Sequence, residues 1–320
     1  MDNIKKVISN ELKIFEKKFA SDMKSETPLL DSIMKYIIKR KGKQIRPMFV
    51  FLSAKLHGEV NESTYRAASL VELLHTATLV HDDVVDESLE RRGFLSINAI
   101  WKNKIAVLVG DYLLSRGLLL STSNNDFQQL HLLSEAVREM SEGELLQIEK
   151  TRKLNLNEDI YFEIVRKKTA SLLSSACAVG AFSTSGDKEL TANMKLFGEK
   201  IGIAFQIKDD LLDFSTTNTG KPKGNDIKEK KLTLPLIYTL NKVDKTLRRR
   251  LIYIIKNENK NPDSVNFVVN EVIKCGGLLY AQEKMIEYKK AALQLLQQYP
   301  SGEVKNALEE LVEYTTDRKY

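Results

Sequence analysis

The chain has 320 residues, 42% of them hydrophobic and 29% charged, which excludes global disorder and supplies ample apolar material for a core. Against 43 Asp and Glu stand 49 Lys and Arg, a formal charge of +6, but the basic residues fall in short runs such as Lys5-Lys6 and Arg248-Arg249-Arg250, mostly beside acids. Such runs read as solvated faces, so no nucleic-acid partner is expected.

Ile4, Val7, Ile8, Leu12 and Phe15 open the chain at helical spacing, and the same pattern runs through 29–39, 46–57, 61–86, 96–121 and 127–150. It continues through 158–182, 188–214, 232–241, 245–256, 263–274, 277–298 and 302–316, with no persuasive strand-like alternation. The 15 glycines and 6 prolines fall largely between these stretches. None of the breaks resembles a long interdomain linker. The pattern predicts an all-α fold, one large antiparallel helical bundle forming a single domain over 1–320. Cys177 and Cys275 have no metal-ligand spacing and read as buried thiols. The N-terminus shows no sustained apolar core, and no stretch approaches the roughly 20 apolar residues of a membrane span. A cytoplasmic protein is expected.

Within this pattern, Asp82, Asp83, Asp86 and Glu87 crowd the end of an otherwise apolar helix. Asp82 and Asp86 share a face, where like charges repel by about 0.2–0.5 kcal/mol. A hard divalent cation would offset this, since Mg²⁺ takes one or two carboxylates and fills its octahedron with water and phosphate oxygens. One such cluster also fits a solvated helix end. The second, Asp209, Asp210 and Asp213, has the same spacing in equally apolar flanks, and the pair makes coincidence a poor explanation. Carboxylates from two facing helices would hold several ions around one diphosphate.

Basic residues accompany the acids. Lys43 and Arg46 flank a glycine turn and a helix start at Pro47, a setting that favours anions. Arg91-Arg92-Gly93 follows the first triplet, and its guanidinium groups suit phosphate.

In this order, Gly-Lys-x-x-Arg-Pro, DDxxD, Arg-Arg-Gly, Lys168-Thr169, Gln206 with the second triplet, then Gly220-Lys221 before Asp226 and Lys231, the chain resembles the trans-type isoprenyl diphosphate synthases from about residue 25 to its C-terminus. The resemblance implies the isoprenoid synthase fold around a central catalytic cavity. It implies that Lys43, Arg46, His75 and Arg92 grip isopentenyl diphosphate. The allylic diphosphate would be held through Mg²⁺ on Asp82, Asp86 and Asp209, three ions when the diphosphate is bound, with Arg91, Lys168, Thr169, Gln206, Lys221 and Lys231 in or near contact. Asp83, Asp210 and Asp213 would support the ligands from behind. Family precedent implies a homodimer, and the modest positive charge permits transient membrane-surface contact during product release.

The expected chemistry is ionisation of the allylic carbon–oxygen bond, attack by the isopentenyl double bond and loss of a proton. Short-chain members place an aromatic residue four or five positions before the first Asp; here Thr78 and Ala77 occupy those positions. The floor of the product cavity is therefore expected to be open, and His75 to Gly93 resembles the long-chain synthases that make quinone side chains. A short-chain farnesyl or geranylgeranyl synthase is the alternative, and a non-catalytic regulatory subunit of a synthase is the alternative of a different class. The second triplet argues against a class I terpene cyclase, and the retained aspartates and basic residues argue against the subunit.

Overall fold

The computed structural model describes residues 2–40, 42–91, 93–153, 157–214 and 224–317. These residues are overwhelmingly helical, as the 3.6-residue periodicity demands. The chain divides into two compact units that it visits alternately: 1–137, 175–195 and 299–308 form one, and 138–174, 196–298 and 309–320 the other.

The first unit opens with α1 (Asp2–Val7), α2 (Ser9–Asp22), α3 (Pro28–Lys39), α4 (Ile45–His57) and α5 (Glu62–Val85). Helix α5 is apolar on most of its circumference, and thirteen of its residues are buried; a helix of that kind belongs in a core. Its start is fixed by a capping box: Asn61 accepts from Thr64 N at 3.1 Å, and the Thr64 hydroxyl accepts from Asn61 N at 3.3 Å. Helices α2 and α4 pack on α5, with Phe51 between Phe15 and Tyr65.

After α5 the chain makes a hairpin of two short strands, β1 (Glu90–Arg91) and β2 (Phe94–Leu95), which the sequence pattern did not reveal. Helix α6 (Ile97–Thr122) returns along α5. Two glycines set the approach. A Cβ at Gly110 would lie 2.1 Å from His81 Nε2, and one at Gly117 2.9 Å from Leu70 Cδ1. Helix α6 is interrupted at Lys102, whose φ of 72° is left-handed. By length and composition alone α6 could cross a membrane, its most apolar window averaging a hydropathy of 1.4, which corrects the expectation that no segment would qualify. Its buried side packs on α5; its outer side exposes Val107, Leu108, Leu118 and Leu119.

The second unit contains most of α7 (Phe127–Lys153), then α8 (Glu158–Val165), which runs through a π-helical turn (Arg166–Ala170) into α9 (Ser171–Ser185), a helix that passes into the first unit at Ser175. Ser171 N donates to Arg166 O, five residues back. The sequence predicted one uninterrupted helix over 158–182; the wide turn inside it is new. Most of α10 (Lys188–Asp213) follows, then the short α11 (Asn225–Lys228), α12 (Leu234–Lys242), α13 (Lys245–Tyr253), α14 (Pro262–Lys274) and α15 (Gly277–Leu296). Its core joins Tyr161, Val165, Ile203, Ile207, Leu236, Val268 and Met285. The last helix, α16 (Glu303–Thr316), begins in the first unit and ends in the second.

Candidate active site

The first triplet sits where α5 ends. Asp86 N donates to Asp82 O at 2.8 Å, closing the last turn, so the two carboxylates lie one above the other. Asp82 is half-buried and Asp86 exposed. Asp83, one step round the helix, is buried and accepts from Arg91 Nε at 2.7 Å, while Asn98 Nδ2 donates to its backbone carbonyl at 3.1 Å. Burial raises the Asp83 carboxyl above the usual carboxylate range, and the Arg91 guanidinium opposes that rise. Arg91 thus ties the hairpin to α5 through the middle aspartate.

Arg46 belongs to the first turn of α4, which follows Gln44 in a left-handed conformation (φ 55°). Its Nη1 donates to His75 Nε2 at 2.9 Å. His75 is seven residues before Asp82, hence on nearly the same face of α5 and about 10 Å below it. A fixed cation–imidazole pair and a carboxylate pair therefore share one side of α5. Lys43 is exposed just before α4. Arg92 and Lys221 lie outside the described residues.

His81 is half-buried, with Nε2 3.3 Å from Val107 O and 3.5 Å from Asp111 Oδ1. It belongs to the α5–α6 packing. Ala77 has no exposed surface and sits in a core cluster with Leu73, Val80, Ala106, Val109 and Leu113, whereas Thr78 is half-buried. The opening expected at Ala77 is packed shut, because Gly110 and Gly117 let α6 close on this side of α5. Of the two small residues only Thr78 keeps exposed surface.

The second triplet, in the other unit, is held differently. Asp210 is buried and accepts from Tyr161 OH at 2.7 Å, Gln206 Nε2 at 3.0 Å and Leu234 N at 3.4 Å. Burial pushes its carboxyl up to about 6 despite these donors. Gln206 in turn accepts from Thr169 Oγ1 at 2.9 Å. Asp213 ends α10, and its carboxylate accepts from Asn225 N at 3.0 Å and Asp226 N at 3.1 Å, anchoring the start of α11. Asp209 is half-buried. Lys168, in the π-turn, pairs with Glu144 and donates to Gln147 Oε1 at 3.2 Å. Lys231 pairs with Glu229 at 2.6 Å. Burial, with Asp213 and Asp210 adding to it, pushes Asp226 up to about 7.

Sequence reasoning gave Tyr161, Asn98, Glu144 and Asp226 no role. Of these, Tyr161 was detectable, since a tyrosine on a buried helix face needs a partner for its hydroxyl. Among the described residues no three His, Cys, Asp or Glu side chains converge as a ready-made metal cage. A divalent cation that takes only one or two carboxylates, with phosphate supplying the other oxygens, would find that number in the stacked Asp82 and Asp86. The crowded acids around Asp210, Asp213 and Asp226, two of them pushed towards neutrality, also fit a site completed by cations.

Helical architecture, paired aspartate triplets and a basic set beside them define a prenyltransferase of the all-α isoprenoid synthase class. A family model for polyprenyl synthetase matches residues 27–272. Heptaprenyl diphosphate synthase component 2 of Bacillus subtilis (strain 168) is 31% identical over 316 residues, 98% of this chain and 89% of the relative. The all-trans-nonaprenyl-diphosphate synthase (geranyl-diphosphate specific) of Rhodobacter capsulatus is 36% identical over 300 residues, 92% of this chain and 90% of the relative. Among solved structures, the polyprenyl synthase of Caulobacter crescentus CB15, complexed with calcium and isoprenyl diphosphate, matches with a TM-score of 0.91 at 31% identity, covering 100% of this chain and 98% of that one. The chain belongs to the polyprenyl synthetase family, and it is a polyprenyl diphosphate synthase.

Proposed function

We infer that the protein condenses isopentenyl diphosphate head-to-tail with an allylic diphosphate to make a long-chain polyprenyl diphosphate for quinone side chains. The single observation that carries the reading is the pair of intact aspartate triplets, each with a basic set in its own unit, in a chain whose relatives make heptaprenyl, octaprenyl and nonaprenyl diphosphates. Intact triplets also favour a catalytic chain over a regulatory subunit.

Asp82, Asp86 and Asp209 hold Mg²⁺ in this reading, three ions with the allylic diphosphate bound. When bound, the metal supplies positive charge to the departing diphosphate. Lys168, Thr169, Gln206, Lys221 and Lys231 orient that diphosphate. Arg91 keeps Asp83 in place through Nε and offers its other nitrogens to phosphate. Lys43, Arg46, His75 and Arg92 fix the isopentenyl diphosphate so that its double bond meets the allylic carbon. The Arg46–His75 bond orients both side chains before substrate arrives, and fixed charges of this kind stabilise charge that develops in the transition state without having to reorganise. The proton lost from the isopentenyl unit can leave to an oxygen of the diphosphate that the ionisation releases, which balances the condensation without a protein nucleophile.

The chain works as one catalytic domain and as a homodimer, a proposal supported by the exposed apolar stripe of α6. Leu108 and Leu119 are each 56% exposed and lie eleven residues apart, on one face. One relative is named as a component of its synthase, so activity of the purified chain alone is informative. A cytoplasmic location with transient membrane-surface contact completes the proposal, and cell fractionation tests it. Diphosphate release from purified protein should require both substrates and Mg²⁺ and should stop on chelation. Release without isopentenyl diphosphate at the same rate would refute the condensation.

A further inference from the structure

The second triplet is held by a hydrogen-bond chain, Tyr161–Asp210–Gln206–Thr169, that crosses twice between the α8–α9 helix and α10. Tyr161 and Thr169 are eight residues apart. On an uninterrupted α-helix they would point about 80° apart, but the π-turn at Arg166–Ala170 absorbs one residue and brings them within about 20°. Gln206 and Asp210 are one turn apart on α10, so both bonds form on matching faces.

Two glycines admit the wide turn. A Cβ at Gly202 of α10 would lie 2.5 Å from Ala170 Cα, and one at Gly143 of α7 would lie 2.8 Å from Lys168 N. Backbone meets backbone on both sides of Lys168 and Thr169, so the turn cannot shift without moving α7 or α10.

With Gln206 and Asp210 pinned against α8 and the π-turn, the rotation of α10 about its axis is fixed. Asp209 and Asp213, themselves one turn apart, then face a neighbouring direction. Tyr161 supplies the shortest bond in the chain at 2.7 Å, and without it Asp210 Oδ2 keeps only Leu234 N at 3.4 Å.

We propose that Tyr161 is a positioning residue for prenyl transfer: acting through Asp210 it sets the direction of Asp209, and through Gln206 that of Thr169. The proposal rests on Asp209 holding metal. Tyr161 does not touch substrate. Its loss should weaken the metal–diphosphate site and spare the isopentenyl diphosphate contacts assigned to Lys43, Arg46 and His75.

The test uses Tyr161→Phe, which keeps the ring packing, beside Val165→Ala from the same core and Asp209→Asn. Calorimetry measures the Mg²⁺ concentration for half-saturation in the presence of inorganic diphosphate, and steady-state assays separate kcat from KM. Tyr161→Phe should raise the half-saturating Mg²⁺ about tenfold and lower kcat, the low end of what loss of an outer group that fixes a metal ligand's direction does, with KM for isopentenyl diphosphate unchanged. Val165→Ala should lower Tm alone. A Tyr161→Phe protein that loses Tm like Val165→Ala but keeps its Mg²⁺ half-saturation within twofold overturns the positioning role. An Asp209→Asn protein with unchanged Mg²⁺ half-saturation overturns the metal reading beneath it. Should Tyr161→Phe fail to fold, Gly202→Ala, which pushes on Ala170, must weaken Mg²⁺–diphosphate binding as well; binding within twofold of the parent sinks the proposal.

Discussion

The ends of α5 and α10 carry the same Asp-Asp-x-x-Asp letters in opposite settings. At α5 the third aspartate is exposed and the middle one is buried against an arginine. At α10 the middle aspartate is buried against a tyrosine and an amide, neither of them charged, and the third caps another helix. A cation from the protein answers the buried charge in the first case. In the second, burial wins over neutral donors, and two carboxyls sit at about 6 and about 7. The second site is therefore the one where burial outweighs the partners that the protein supplies.

The largest expected effect follows from what the triplets share. Asp82→Asn and Asp209→Asn should each lower kcat by about 10²–10³, the scale of removing one preorganised electrostatic contribution. Retention of a tenth of the activity by either would break the equivalence of the two sites as metal holders.

Product length separates the two small residues upstream of Asp82. Thr78→Phe should shorten the product at little cost in stability. Ala77→Phe should instead overpack a closed core, costing about 1–3 kcal/mol. Unchanged product length in Thr78→Phe would remove this side of α5 from length control.

The difference in buried charge predicts a pH effect on the metal-free protein. Asp226 has a folded pKa of about 7 against an ordinary value of 3.8, so the folded state holds a proton that the unfolded chain gives up between those pH values. Stability from this group is present below about pH 4 and is lost as pH rises through 7. Asp226→Asn should raise Tm at pH 8 and leave it nearly unchanged at pH 4. A Tm that falls at pH 8 would place a stabilising cation beside Asp226. At the first site, Arg91→Leu leaves Asp83 buried without its cation and should cost about 3 kcal/mol, the low end for a broken buried pair because Arg91 itself is 35% exposed. A loss no larger at pH 8 than at pH 4 would contradict the pairing.

The smallest effect on chemistry, and the clearest on assembly, is expected from Leu108→Glu with Leu119→Glu. These should convert dimer to monomer in sedimentation; a dimer that persists moves the interface elsewhere.

The helices were legible because the apolar residues repeat with a 3.6 period over long stretches, and the triplets because carboxylates there have no apolar reason to exist. The division of labour inside each triplet was legible in outline, since a step of one residue turns Asp83 or Asp210 through 100° from its neighbour. What could not be read is anything set by one helix acting on another. The π-turn leaves no mark in composition, because Lys167, Lys168 and Thr169 suit an ordinary helix. Tyr161 looks like any core aromatic until Asp210 is seen beside it. Ala77 looks like an opening until Gly110 and Gly117 bring α6 down onto it.

The central claim is tested most directly by incubating purified protein with Mg²⁺, isopentenyl diphosphate and farnesyl or geranylgeranyl diphosphate, then separating the dephosphorylated products by chromatography. A ladder ending in a long-chain polyprenol is the predicted result. Products that stop at fifteen or twenty carbons would contradict the long-chain assignment while sparing the enzyme class, and absence of any elongated product would contradict the account as a whole.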